Sequence, residues 1–325
     1  MLYPLTFRPI FKERVWGGRR LAELFGKHLP PDVPIGESWE ISDRPGDVNV
    51  ISNGPLAGKD LHWVLEHYED RLLGNASSEK GRFPILVKLL DARGKLSLQV
   101  HPPAHKAAIL GGEPKTEMWY IAEADPGAEL YVGLKTGTTR GLFEKALRDG
   151  TVENCFHRQP VAAGDAMFLP SGRVHAIGAG LVIFEIQQNS DTTYRVHDWN
   201  RVGLDGKPRD LHLEQSLASI DFSDFEPPLL PEQAILQEGW QVRCLVQHRL
   251  FSVTHCFSSR DQSAFLQGGH LRIVAALSGT LEILWQDTAV SLSPGEFCLI
   301  PACLKQVQVA ARGSSAHLRV ETGRV

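Results

Sequence analysis

The 325-residue sequence predicts a mainly β protein with a few short helices, its strands arranged as a sandwich or barrel rather than a parallel βαβ sheet. Two observations carry this. Short β-branched or alternating runs recur along the chain, each bounded by Gly, Pro, Asp or Asn, and helical periodicity surfaces in only a few scattered places. Strands are expected over 48–51, 84–90, 96–100, 118–122, 130–134, 166–169 and 181–187. Leu61, Leu65, Tyr68 and Leu72 fall at i, i+4, i+7 and i+11, which predicts a helix with Asp60 as N-cap and Gly74 as its stop. Shorter helices are expected over 140–148, closed by Gly150, and over 211–220, opened by Asp210. At 225–233 the chain reads FEPPLLPEQ, and three prolines so close together continue neither a helix nor a central strand. The break predicts a boundary near 223–235, with one unit over 1–224 and a second over 236–325. In the second, 272–277 and 280–285 read as strands joined by a turn at Ser278-Gly279, followed by strands 289–292 and 297–300.

Composition narrows the function. Lys plus Arg total 34 against 38 Asp plus Glu, a net charge of −4, so no global pull toward nucleic acid or anionic membrane is expected. The longest apolar stretch, 176–186, is interrupted by Glu185 and is shorter than the roughly 20 residues of a membrane helix. The N-terminal residues do not read as a signal peptide. Five cysteines with no C-x-x-C pair read as free thiols in a reducing compartment, which makes a cytoplasmic protein the expectation.

Three segments carry polar residues where chemistry is plausible. Leu96-Ser97-Leu98-Gln99-Val100-His101 alternates strictly, so Ser97, Gln99 and His101 share one face before Pro102-Pro103 ends the strand. Alone, this reads as a ligand edge or as a solvent-facing surface, with the surface favoured. Lys115 and Glu117 also share a face at the start of an apolar strand, and alone they read as a surface ion pair. The segment Gly164 to His175 is more specific. It fits G-x5-P-x-G-x2-H, a signature of the cupin β-barrel, in which the histidine starts a returning strand and points into the barrel. Together His101, Glu117 and His175 supply two imidazoles and a carboxylate. That set suits a catalytic zinc with an open position and equally the facial triad of non-haem iron enzymes. An amide oxygen from Gln99 as a fourth ligand tilts the choice toward zinc.

At this point the sequence resembles the short bacterial form of type I mannose-6-phosphate isomerases. The blocks Phe11 to Gly18, Gly36-Glu37-Ser38-Trp39-Glu40, Leu98 to Pro102, Lys115 to Tyr120, Phe168-Leu169-Pro170 with His175, and Glu185 to Trp199 occur in that family's order. The resemblance is dense over 5–220. It implies two cupin-like β-barrel (jelly-roll) units and one Zn2+ per chain, held by Gln99, His101, Glu117 and His175. It implies Arg195 as the catalytic arginine and Lys115 and Lys88 in substrate handling. The implied reaction interconverts mannose 6-phosphate and fructose 6-phosphate through an enediol. An iron-dependent oxygenase and a non-catalytic sugar-binding module are the rivals. Arg14, Lys88 and Ser97 are candidates for the phosphosugar, and Lys115 is a candidate acid/base because buried lysines titrate low. Trp16-Gly17-Gly18 either covers the sugar or makes a tight turn with a packed tryptophan. Where relatives often carry Tyr, this chain has His197, a change expected to touch packing rather than ligands. In the second unit 292–301 repeats the Gly-x5-Pro turn, but the position matching His175 falls near Lys305 or Gln306 and no Gln-x-His strand precedes it. A structural unit without metal is therefore expected there, in a chain that is a monomer or a homodimer.

Overall fold

The computed structural model describes residues 1–322. Strands dominate, in three stacked layers. The middle layer is a six-stranded sheet in the order Ile10–Gly18, Ile35–Ile41, Ile85–Ala92, Leu181–Gln188, Glu117–Ala124, Ala166–Leu169. One outer layer has five strands, ordered Tyr194–His197, Leu98–Val100, His175–Ile177, Glu129–Leu134, Phe156–Pro160. The other is an eight-stranded sheet built wholly from Ile235–Thr322. Every pairing within these three sheets is antiparallel.

Burial on both faces explains why the central strands read as continuous apolar runs. Ile85–Ala92 and Leu181–Gln188 are buried at every position. Successive side chains alternate between faces. Ile85, Val87, Leu89, Val182, Phe184 and Ile186 join one core with Phe251, Ile273, Leu299 and Leu318 of the eight-stranded sheet. Leu90, Ala92, Leu181 and Ile183 join another with Leu130, Val132 and Ile177 of the five-stranded sheet. On that second face the same alternation brings Lys88 and Glu185 inward.

The helix Leu61–Leu73 starts where Asp60 accepts from the Trp63 amide (2.8 Å) and stops at Gly74, and Leu61, Val64, Leu65, Leu72 and Leu73 are its buried face. Arg140–Arg148 forms as the periodicity indicates, capped by Thr139. The third helix is shorter than expected, Leu213–Ser219, because Asp210 makes no cap and His212 takes that position without a side-chain bond. Two further short helices, Arg20–Phe25 and Ala104–Ala107, escaped the sequence pattern. The linker is anchored at its end: Arg243 of the eight-stranded sheet donates to the carbonyls of Leu230 (3.0 Å), Pro231 (2.7 Å) and Gly164 (2.8 Å).

One expectation is overturned in the second unit. Ser278-Gly279 is no turn. Arg272–Trp285 is one 14-residue strand that bends there, with irregular register on either side of Ser278. Gly279 holds φ +69°, a left-handed conformation that makes a bulge instead of reversing the chain. The bend lets the halves of the strand pair with different partners, Phe297–Ile300 on one half and Thr288–Leu292 on the other. Val274 and Ala276 from the first half then share a core with Leu281 and Ile283 from the second. The strands are hydrogen-bonded as open sheets, and among the described residues none closes into a barrel.

Candidate metal centre and active site

The site lies between the five- and six-stranded sheets and draws on both. In the five-stranded sheet Gln99 stands opposite His175 on one neighbouring strand and opposite Arg195 on the other. His101 follows Val100 at the strand end and is fixed there by Pro102-Pro103. Glu117 opens its strand in the six-stranded sheet, paired with Gln187 and Leu169.

His101, Glu117 and His175 meet in the interior, each at most 1 % exposed. One potential ligand atom from each lies within 4.8 Å of the others. The imidazoles are oriented by backbone carbonyls, which only accept: His101 Nδ1 donates to Thr192 O (2.8 Å) and His175 Nδ1 to Arg173 O (3.0 Å). That fixes the tautomer in both rings and turns the Nε2 lone pairs inward. They face Glu117, His101 Nε2 at 3.6 Å from Oε2 and His175 Nε2 at 3.2 Å from Oε1. His101 Nε2 and both Glu117 oxygens are buried without a well-formed hydrogen bond. Lys115 Nζ lies 3.0 Å from Oε2, an ion pair of poor hydrogen-bond angle. Buried orphan atoms are rare in folded proteins, and lone pairs from two imidazoles and a carboxylate converging on one point suit a divalent cation. Gln99 Nε2 is 3.3 Å from His175 Nε2, so half a turn of the amide would direct its oxygen to the same place.

The charges agree with this geometry. Burial holds His101 below its usual value and brings His175 down to about 3, so both rings are neutral at neutral pH. Burial alone would raise the Glu117 carboxyl, but Lys115 and then His101 outweigh it and hold it well below the ordinary range.

A cavity of about 530 Å3 opens beside the triad, lined by Arg14, Trp16, Lys88, Ser97, Gln99, Lys115 and Arg195 together with several carboxylates. Lys88 Nζ lies 3.4 Å from Glu185 and 3.9 Å from Glu37. Arg14 donates to Glu37 (3.0 and 3.3 Å) and Trp39 Nε1 donates to it at 2.6 Å. Burial raises the Glu37 carboxyl, yet Lys88 and Arg14 overcome this and hold it at about 2. Arg195 is half-buried. Its Nη1 donates to Asp210 O (2.7 Å), while its Nε is buried with no partner. Burial and then the neighbouring Arg209 lower its affinity for the proton. Trp16 is buried and forms cavity wall, with its carbonyl accepting from Gly94 (2.9 Å).

Lys115 departs from its expected titration. Burial does lower it, but Glu117 and Glu185 together raise it above the ordinary lysine value. The group is an ammonium in this setting. His197 packs edge-on against Trp199 (5.5 Å) and does not line the cavity. Sequence reasoning gave no role to Glu37, Glu185, Asp191, Leu204 or Arg209, all of which line it. Glu185 had a readable signal, a lone charge inside an apolar strand. A larger cleft, about 900 Å3 between the N-terminal segment and the eight-stranded sheet, holds a buried Lys27–Glu40 pair (2.8 Å) but none of the convergent unpartnered atoms.

Comparison with known proteins places this site in a family. The model of the phosphomannose isomerase type I catalytic domain matches residues 5–126. A mannose-6-phosphate isomerase of Streptococcus mutans is 35% identical over 310 residues, 95% of each chain. One of Bacillus subtilis is 35% identical over 304 residues, 92% of this chain and 93% of its own. A crystal structure of the mannose 6-phosphate isomerase from Bacillus subtilis superposes with a TM-score of 0.89 at 29% identity, covering 98% of this chain and 99% of that one. Matched along nearly its whole length, the chain belongs to the type I phosphomannose isomerase family.

Proposed function

We propose that the protein is a zinc-dependent isomerase interconverting mannose 6-phosphate and fructose 6-phosphate by moving a proton between C1 and C2 through an enediol. One observation carries this: His101 Nε2, the Glu117 carboxylate and His175 Nε2 converge in the interior, the first two buried without partners, beside a cavity whose wall carries Lys88, Lys115 and Arg195. His101, Glu117 and His175 would hold the metal, with the Gln99 amide as a fourth ligand, and a set of two histidines and a glutamate suits zinc. When bound, the metal supplies polarisation of a substrate oxygen, which acidifies the neighbouring C–H.

The chain's own residues supply the rest. Lys115, charged because Glu117 and Glu185 flank it, orients a substrate oxygen as a hydrogen-bond donor, and its acid/base role is subordinate to that. Arg195 points an unpartnered Nε into buried surroundings and stabilises negative charge as it develops, a fixed donor in a site shielded from water. Lys88, Ser97 and Trp16 contact the phosphosugar. Lys88 and Arg14 share Glu37, so that wall is closer to neutral than its cations alone suggest. The carboxylates facing the cavity suit sugar hydroxyls.

The reading extends to architecture and place. Units 1–224 and 236–325 are two cupin-like jelly-roll units, the second structural and metal-free, in a cytoplasmic enzyme. The private core of the second unit around Val274 and Ile283 supports the division. The test is conversion of mannose 6-phosphate by purified protein before and after chelation, with zinc restored. Chelator-sensitive turnover recovered by zinc is the expected result. Iron content with oxygen consumption, or tight sugar binding by zinc-loaded protein without turnover, would overturn it.

A further inference from the structure

The segment before Glu117 carries a residue that the reading above does not use. Glu113 sits between two arginines, accepting from Arg44 Nη1 (2.6 Å) and from Arg82 Nη2. Its backbone is engaged as fully. Its amide donates to Thr192 Oγ1 (3.0 Å), and its carbonyl accepts from Ser190 Oγ (3.3 Å), which in turn accepts from the Thr192 amide (3.2 Å). Arg44 also donates to Asn189 O (2.9 Å), so one guanidinium joins Glu113 to the start of the same loop. The two segments lie so close that a Cβ on Gly112 would meet Thr192 Cγ2 and Tyr194 Oη at 2.6 Å. This clasped loop supplies the Thr192 carbonyl that accepts from His101 Nδ1 (2.8 Å). Asp191 and Thr193, on either side, line the substrate cavity.

We propose that Glu113, held between Arg44 and Arg82, is a positioning residue that fixes the 189–193 loop so that the Thr192 carbonyl holds the His101 imidazole with its Nε2 toward the metal. A carbonyl that drifts leaves that ring free to rotate, and groups that orient metal-bound histidines through their second nitrogen commonly change metal affinity about 10–100-fold when removed. The inference rests on the metal reading above.

The test is zinc affinity by chelator competition on Glu113→Gln, Thr192→Val and Thr192→Ser. Thr192→Val removes the hydroxyl that accepts from Glu113 and nearly keeps the shape, and Thr192→Ser keeps the hydroxyl. We expect Glu113→Gln and Thr192→Val to bind zinc about 10-fold or more weakly, with Thr192→Ser close to wild type. Thermal unfolding of the metal-free proteins separates this from loss of stability, because a purely structural role would lower Tm in Glu113→Gln and Thr192→Val and leave zinc affinity unchanged. Wild-type protein that binds zinc while both Glu113→Gln and Thr192→Val keep its affinity overturns this inference alone. Wild-type protein that takes up no zinc overturns the metal reading and this inference with it.

Discussion

Gln99 and His175 face each other across one rung of the five-stranded sheet, their Nε2 atoms 3.3 Å apart. The pairing makes the order of metal loss predictable. His101→Ala and His175→Ala each remove an imidazole from a three-residue set, so zinc is lost first and activity as its consequence. In the proposed coordination Gln99→Leu removes the fourth donor and leaves both imidazoles on their carbonyl tethers, so zinc content is expected to fall less and affinity to drop by a smaller factor. Zinc per chain by atomic absorption, with chelator competition on the loaded proteins, ranks the three. Gln99→Leu losing metal as completely as His175→Ala would mean that the amide does more than complete the shell.

Arg195 stands on the far side of Gln99, bonded to Asp210 O and not to any of the three metal-facing residues. Arg195→Ala is therefore expected to lower kcat by about 10²–10³-fold, the usual cost of removing a donor to developing charge, with zinc content unchanged. Loss of metal together with activity would show that Arg195 holds the sheet edge and not the reacting atoms.

The legible parts of the site were those fixed by local chain geometry. Alternation put Ser97, Gln99 and His101 on one face, the Gly-x5-Pro-x-Gly spacing set His175 at a strand start, and the structure brings His101, Glu117 and His175 within ligand distance. Lys115 was legible in position but not in charge. Glu117, two residues on, and Glu185, from a strand 70 residues later, together raise it, and an argument from burial alone has the wrong sign. Glu37 was hidden for the same reason, since its meaning depends on Lys88 and Arg14 from two other strands. The sharing of one core between the middle sheet and the C-terminal sheet was illegible as well, because apolar runs show that a strand is covered and not by what.

Buried histidines of the C-terminal sheet are expected to contribute to acid lability, as His175 does in the candidate site. His317 is buried and held down to about 3 by burial, with Arg319 and His255 adding to it, and burial with Arg243 holds His255 down to about 4. Each ring is neutral in the folded protein and charged below about 6.5 once unfolded. The unfolded state therefore binds more protons, so this stability is fully present above about pH 6.5 and is lost as pH falls toward 4 and then 3. Glu37, depressed to about 2, acts later: its contribution is present above its unfolded value near 4.5 and is lost as pH falls toward 2. Tm of the wild type should hold between pH 8 and about 6.5 and fall from there to pH 4.5, and His317→Leu should flatten that fall. An unchanged slope in the variant would place the acid-sensitive groups elsewhere.

Gly279 tests the bend in the long C-terminal strand. At φ +69° an L side chain is strained, at a cost of roughly 1–2 kcal/mol. A Cβ there would also lie 2.2 Å from Ser314 O and 2.4 Å from Ser315 Oγ. The carbonyl belongs to the backbone of the partner strand and has no rotamer in which to retreat, so the bulge itself must open. Gly279→Ala should then destabilise the protein by more than the conformational cost alone, read as a lower urea midpoint with little change in m. The middle sheet packs on the face that this bend shapes, through Ile273 and Ala275. The variant should therefore unfold in one transition, the catalytic layers going with the C-terminal sheet. A separate early transition, with zinc still bound to a folded remainder, would show that the layers fold independently despite the core they share.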